Sequence, residues 1–434
     1  MDRQEAENYV YQSYLRAEPF QDRNAPDAIK RHPELTEDLL RENAQIPAAV
    51  VTGSKGKGSV TALLSAVLGT ALRTGRMTSP HLVRFNERFC VDGIPITDAE
   101  FVSEMEEVKA ALDPIDRALP EGICISPMGV QALLALRWFR RRGVQAAVYE
   151  CGKGAQYDDV NRIPHTYAIL GPIFAEHTRE LGSTTWEIAR DKAHVITPEV
   201  KVAFSARQAP EVLRILRSRA AEMGARLLVC GEDFDAPQIR FSGQGMRFDV
   251  RIFSDRLPGF EVPMLGDFWA ENAALALACG REMLGEESWR AHLPAIREAL
   301  QRTHWPGRME VLRRDPLLIL DACIHPASCA GVRQVLEKLG IPKVNLILGI
   351  PEDKDYPGVA REMAPCCNRL ILTRSQNPHY VFSSAQADHL LEEGIAADWT
   401  ESLEEAVRKA DRAGGPSLIL GTTSLVGEAV QLKV

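Results

Sequence analysis

The stretch Val51-Thr52-Gly53-Ser54-Lys55-Gly56-Lys57-Gly58-Ser59 constrains this chain more than any other. A short apolar strand, Ala48 to Val51, runs into it, and Val60, Leu63, Leu64, Val67 and Leu68 follow at helical spacing. Strand, glycine-rich turn and helix in that order make a phosphate-binding loop. The glycines let backbone N–H groups close on phosphate oxygens, and the helix N-terminus adds its positive end. Gly53, Ser54, Lys55, Gly56, Lys57, Gly58 and Ser59 are the candidate nucleotide-binding residues, with Lys57 reaching the outer phosphates and Ser59 holding Mg²⁺. A glycine-rich turn with no ligand is the alternative reading of the same residues.

Composition narrows the class further. The chain has 434 residues, enough for two or three domains, and is 45% apolar and 25% charged, as soluble globular proteins are. The cysteines are scattered, none in a C-x-x-C pair, and read as reduced thiols in a cytoplasmic protein. The N-terminus lacks an apolar signal core, and no apolar run is long enough to span a membrane. A net charge of −8 without a basic stripe argues against a nucleic-acid partner. The expected partners are small molecules, and the expected state is a monomer or weak homo-oligomer.

Along the chain, apolar strands alternate with helical patterns from Ala48 to about Val195, with strand-like runs at Val144 to Tyr149 and Tyr167 to Leu170. That order predicts a mostly parallel sheet covered by helices. Period-two alternation from Ile239 to Phe253, around Gly243-Gln244-Gly245, predicts a small antiparallel patch attached to it. Asn272 to Leu284 reads as a helix ended by Gly285. Pro306 and Gly307 interrupt the pattern, and a fresh α/β alternation follows, with strands at Leu317 to Leu320, Val344 to Leu348, Leu370 to Thr373 and Ser417 to Leu420 and a helix at Ala327 to Leu339. The expected fold is therefore α/β: a P-loop ATPase domain over residues 1–302 and a Rossmann-like C-terminal α/β domain over 303–434. Such an arrangement puts a site in the cleft between them.

Two further signals come from the residues themselves. Glu150 ends an apolar strand and opens the turn Cys151-Gly152-Lys153-Gly154. A carboxylate at the C-terminal end of a sheet strand near a phosphate loop is placed to hold Mg²⁺. Thr184-x-x-Glu187 is a capping box that starts a helix carrying Lys192.

The loop spacing departs from the common P-loop: Gly53 stands two residues closer to Gly56-Lys57, and Gly58 separates the lysine from Ser59. This form, G-x-x-G-K-G-[ST], resembles the ATP loop of folylpolyglutamate synthases and, more distantly, of the Mur ligases. The resemblance continues in order along nearly the whole chain. Thr78-Ser79-Pro80-His81-Leu82 is similar to a family loop whose serine, here Ser79, helps bind Mg²⁺. The turn after Glu150, with Asp158 and Asn161, resembles the family's Glu-x-Gly-x-Gly-Gly segment, with Ala155 in place of the last glycine. Glu176-His177-Thr178 resembles a motif whose histidine binds a second Mg²⁺, which implies metal ligands at Ser59, Ser79, Glu150 and His177. Arg190-Asp191-Lys192-Ala193 matches a segment whose lysine is carbamylated, which implies a carbamate on Lys192; a surface lysine pairing with Glu187 or Asp191 is the alternative. Asn272 would contact ATP, although the family's preceding His-Gln pair is Phe268-Trp269 here. Trp305-Pro306-Gly307-Arg308 matches the family hinge, with Arg308 on the ATP phosphates.

The second half matches with substitutions. Asp321-Ala322-Cys323-Ile324-His325-Pro326 stands where the family has Asp-Gly-Ala-His-Asn-Pro, so Asp321 is carried over to nucleotide binding, while Ile324 and His325 replace the histidine and asparagine on the amine side. Asp353-Lys354-Asp355 matches, and Gly421-Thr422 through Gly427-Glu428 matches the closing motif, with Thr422 at a substrate-binding serine. The resemblance implies an ATP- and Mg²⁺-dependent ligase that joins a carboxylate to an amino acid through an acyl phosphate, with Lys57, His177, Lys192 and Arg308 as the catalytic set. The substituted pocket leads us to expect an amino acid joined to a non-folate acid. A true folylpolyglutamate synthase and a non-catalytic nucleotide-binding module are the alternatives.

Overall fold

The structure is a computed structural model that describes residues 1–21, 31–242 and 245–432. Three sheets organise the chain. The first has eight strands: β1 (Ala48–Thr52), β2 (Thr74–Met77), β3 (Phe89–Val91), β4 (Ile94–Pro95), β5 (Ala146–Glu150), β6 (Tyr167–Leu170), β7 (Val202–Ser205) and β8 (Arg226–Val229), in the order β4-β3-β2-β5-β1-β6-β7-β8. Only β3 and β4 run antiparallel to their neighbours, so the expected mostly parallel sheet is present. Alternate residues of the central strands feed opposite faces, as the two-residue strand period requires. Val50, Ala147 and Tyr149 join a core under the helices Arg3–Ala17, Asp98–Arg117 and Pro127–Arg141, whereas Val51, Ala146 and Val148 join a core under Lys57–Leu68, Asp267–Leu284 and Glu286–Arg302. Strands buried on both faces need the apolar runs that made them legible.

The antiparallel patch comprises β9 (Phe234–Asp235), β10 (Arg240–Phe241), β11 (Met246–Ile252) and β12 (Asp255–Val262). The β10–β11 pairing follows the expected alternation, and the turn residues 243–244 lie outside the described residues. The longer hairpin, β11 with β12, is not visible in the pattern. Its turn at Phe253 lacks glycine although Phe253 has φ 53°, and Pro258-Gly259 reads as a break where the ladder shifts register between Phe248 and Val250. Phe248, Val250 and Phe260 join the same core as Trp269 and Trp289, which ties the patch to the first sheet. The helix read from Asn272 starts earlier, at Asp267, and Gly285 ends it.

The chain passes through residues 303–309 into a six-stranded sheet of β13 (Glu310–Arg314), β14 (Leu317–Asp321), β15 (Val344–Gly349), β16 (Cys367–Leu372), β17 (Asp398–Trp399) and β18 (Ser417–Gly421). Its order is β13-β14-β18-β15-β16-β17, with β13 alone antiparallel. The edge strands β13 and β17 are missing from the sequence reading. β13 alternates poorly, with Arg313 and Arg314 in a strand of five residues. Among the described residues no helix is long and apolar enough to cross a membrane.

The last helix, Thr423–Gln431, seats the C-terminal unit on the Thr78–Leu82 loop. A Cβ on Gly427 would fall 2.2 Å from the Leu82 carbonyl oxygen, and one on Gly307 would fall 2.3 Å from Val426. The glycine of the closing motif thus permits a backbone-to-helix contact that no side chain could share. Replacing Gly427 by Val should lower the unfolding free energy by about 1–3 kcal/mol through overpacking. Urea denaturation measures it, and unchanged stability would show that the helix is not seated there.

Candidate active site

The phosphate loop is shaped by what crowds it. Gly56 caps the helix Lys57–Leu68 in the left-handed region, φ 80°, and a Cβ there would lie 2.9 Å from Asn272 Oδ1. A Cβ on Gly58 would lie 2.8 Å from the Trp305 ring and 3.3 Å from Glu150 Oε2. The loop, the helix bearing Asn272, the hinge and the end of β5 therefore meet within contact distance. The Arg76 guanidinium stacks over the other side of this assembly, 5.1 Å from the Trp305 ring centre.

Within the loop, Lys57 Nζ donates to the Gly53 carbonyl at 2.9 Å. Ser54 is engaged elsewhere: its amide donates to Pro172 O at 2.8 Å, and its hydroxyl donates to Phe174 O and accepts from Phe174 N–H, each at 3.1 Å. Ser54 thus braces the loop against the segment after β6, with both its amide and its hydroxyl engaged there. Lys55 stays partly exposed, and Ser59 is buried in the first helical turn.

Glu150 is 4% exposed and accepts the Ser79 amide at 3.0 Å. Burial raises its pKa from 4.5 to about 7, against the opposing pull of Lys57, the Ser79 N–H, Arg308 and Arg88. Two of the four expected metal residues, Ser79 and Glu150, are therefore joined directly, with Ser59 one residue beyond Gly58. His177 is paired with its own neighbours. It has φ 47°, and its ring nitrogens lie 3.8 Å from Glu176 and 3.9 Å from Glu180. Burial lowers its pKa. Among the described residues no group of three or more His, Cys, Asp or Glu side chains could hold a metal ion. The oxygens of Glu150, Ser79 and Ser59 are the hard donor type that Mg²⁺ would take.

Lys192 is wholly buried, not the surface lysine of the alternative reading. Its Nζ donates to Lys153 O at 2.7 Å and Gly53 O at 3.2 Å and pairs with Glu176 Oε1 at 3.0 Å. Glu187 instead closes the capping box with Thr184, and Asp191 accepts the Ala155 amide at 2.8 Å. Burial and the charge of Lys57 lower the Lys192 pKa, and Glu176 opposes them. A carbamate on this nitrogen would have to displace Glu176 and face the two carbonyl oxygens that now accept from it. Glu176 has no signal of its own in the sequence beyond its place beside His177.

Around the turn after Glu150, Asp158 accepts the amides of Gly152 at 2.7 Å and Val160 at 3.0 Å. In the hinge, Arg308 donates to Ala322 O at 3.1 Å, and Asp321 accepts the Met309 amide at 2.9 Å. Asp321 thus fixes the hinge with one oxygen. Ile324 is half-buried against the C-terminal core, and His325 is exposed at the N-cap of the helix Pro326–Lys338. The His325 ring faces Phe174 of the first unit, 6.5 Å between centres. Thr422 is buried and caps the last helix, accepting Leu425 N–H at 3.3 Å. Arg88 was not anticipated. It is buried over the Phe85 ring at 4.6 Å and donates to His81 and Gln131 at 2.9 and 2.8 Å.

Residues 307–424 match the family described as Mur ligase, glutamate ligase domain. A dihydrofolate synthase/folylpolyglutamate synthase from Mycobacterium tuberculosis is 30% identical over 391 residues, covering 84% of this chain and 79% of that protein. A folylpolyglutamate synthase from Lacticaseibacillus casei is 29% identical over 382 residues, covering 88% of each. A solved FPGS–AMPPCP–folate complex superposes with a TM-score of 0.82 at 26% identity, covering 99% of both chains.

Two variants probe the buried charges. Lys192→Met leaves Glu176 without its cation and should destabilise the protein by about 3–5 kcal/mol in urea denaturation; a loss below 1 kcal/mol would show that the pair is not buried as described. For Glu150, the folded-state pKa of about 7 lies above the ordinary 4.5, so ionisation opposes folding fully above pH 7, and the penalty fades as pH falls through 7 towards 4.5. Glu150→Gln should therefore stabilise the metal-free protein by about 1–3 kcal/mol at pH 8 and by little at pH 4.5. Equal stability of the two proteins at pH 8 would count against the burial of that charge.

Proposed function

We propose a reaction on one premise: the chain belongs to the folylpolyglutamate synthase family of Mur-type ligases. The protein is an ATP-dependent ligase that joins the amine of L-glutamate to the side-chain carboxylate of a reduced folate. The observation that supports it most is the meeting of the phosphate loop, Glu150, Asn272 and the Trp305–Arg308 hinge at one point between the two units. The relatives' names and the nucleotide and folate of the solved complex favour this substrate pair over a non-folate acid.

In this reading the carboxylate oxygen attacks the γ-phosphorus of ATP and ADP leaves. The amine nitrogen then attacks the acyl phosphate carbonyl, the C–O bond breaks and phosphate departs. Lys57 and Arg308 oppose the charge on the transferred phosphoryl group, which is the main requirement of phosphoryl transfer. Glu150, Ser79 and Ser59 would hold Mg²⁺, with His177 joining them after turning from Glu176; the ion supplies charge neutralisation on the phosphate oxygens. Glu150, whose burial outweighs the pull of Lys57, Arg308 and Arg88, fits that role. His325 and Thr422 are the residues that would meet the amine, and excluding water there would protect the acyl phosphate.

One observation favours a second reading. Ile324 turns into the C-terminal core and offers the amino acid no hydrogen bond, which allows a different amino acid or a non-folate acid. Turnover by phosphate release, with tetrahydrofolate and each amino acid in turn, separates the two. Glutamate should be preferred by at least tenfold. A stronger preference for another amino acid, or no turnover with any folate, would move the assignment to the second reading. Lys57→Ala should lower turnover by at least 10²-fold and stability by only about 1 kcal/mol, since this partly buried lysine donates to one backbone carbonyl. Near-normal turnover would remove the chemistry from this loop.

A further inference from the structure

Cys323 and Cys329 are both wholly buried, and their Sγ atoms lie 3.9 Å apart. Both sulfurs approach the same group, the His325 carbonyl, at 3.7 and 3.8 Å. Cys323 follows β14, and Cys329 lies in the first turn of the helix Pro326–Lys338, so the pair brackets Ile324 and His325. Two thiols in van der Waals contact pack well as a reduced pair, so their nearness alone does not demand a bond. Their placement does more. The contact between the two sulfurs holds the Cys323 thiol below its ordinary pKa, with Lys55 of the phosphate loop adding to the effect, while that contact and burial push Cys329 up. One sulfur is favoured as the nucleophile, and the other is poised to resolve it.

We propose that Cys323 and Cys329 form a reversible disulfide that closes around His325 and shuts down the amine side of the site. The proposal rests on the reading of residues 321–326 as part of the amine-binding segment. The oxidant is a peroxide. The Cys323 sulfur attacks one peroxide oxygen, the O–O bond breaks, and water leaves a sulfenic acid. The Cys329 sulfur then attacks Cys323 Sγ, the S–O bond breaks, a second water leaves, and the S–S bond forms. The two thiols lose two electrons and two protons, and the peroxide becomes two waters. A dithiol reverses the step by exchange. Bringing the sulfurs from 3.9 Å to the bonded distance of about 2 Å draws the strand end and the first helical turn together. Ile324 and His325, held between them, must move, and with them the contact of His325 with Phe174 across the cleft.

The test treats the full chain with hydrogen peroxide and follows two readouts. No Lys or Arg lies between Arg314 and Arg333, so trypsin releases both cysteines in one peptide, 315–333, which contains no other cysteine. That peptide should lose two hydrogen atoms and regain them with dithiothreitol. Ligation should fall at least tenfold in the same samples and recover with the thiols, while ADP binding stays within twofold. Cys329→Ala, or Cys329→Ser if the first variant does not fold, should keep its activity after peroxide. An unchanged peptide mass, a crosslinked protein with full activity, or a Cys329 variant that peroxide inactivates equally would each overturn the proposal. If the reduced protein showed no ligation at all, the functional reading would fail; the peptide mass, with an altered Phe174–His325 contact read by crosslinking, would still decide the disulfide.

Discussion

The site is organised around a buried ammonium group. Lys192 reaches from the helix Thr185–Ala193 to the Gly53 carbonyl in the phosphate loop, the Lys153 carbonyl in the turn after Glu150 and the Glu176 carboxylate beside His177. These three segments follow β1, β5 and β6, the central strands of the sheet. Desolvating a charge is costly, and the cost is met only when every proton finds an acceptor. The ammonium therefore fixes the spacing of all three loops at once. Removing it would leave carbonyls and a carboxylate facing an apolar void. Lys57 also donates to Gly53 O, so one carbonyl anchors both the structural lysine and the lysine expected at phosphate.

The C-terminal unit is presented to those loops by contacts that depend on missing side chains. Gly427 against Leu82 and Gly307 against Val426 leave backbone touching helix, and Asp321 pins Met309 so that Arg308 comes off the hinge towards Glu150. Trp305 covers Gly58 from the same hinge. A rigid hinge next to the phosphate loop and an exposed His325 opposite Phe174 describe a cleft in which one wall is set and the other carries the substituted residues.

Much of this was legible from sequence because the physics is local. The phosphate loop needs glycines at fixed offsets, the capping box at Thr184 needs only its own two side chains, and central parallel strands need unbroken apolar runs. What was not legible depends on distant partners. Nothing in Arg190-Asp191-Lys192 tells that the lysine is buried or that Glu176 is its partner. The first turn of Asp267–Leu284 carries no capping side chain, since Gly266 stands at the N-cap. The β11–β12 hairpin turns at Phe253, without the glycine that such turns usually show. Ser54 and Asp321, both expected at nucleotide, have donors or acceptors already engaged by backbone groups, Pro172 and Phe174 in one case and Met309 in the other. The nearness of Cys323 and Cys329 appears only once the helix after Pro326 turns back.

The central claim is that carboxylate activation proceeds by phosphoryl transfer at the meeting point of the phosphate loop, Glu150 and the hinge. Turnover of a folate whose side-chain carboxylate carries ¹⁸O tests it most directly. Attack of that carboxylate on the γ-phosphorus, followed by cleavage of the acyl C–O bond, predicts phosphate bearing one ¹⁸O atom for each amide formed. Phosphate released without the label while amide accumulates would contradict the account.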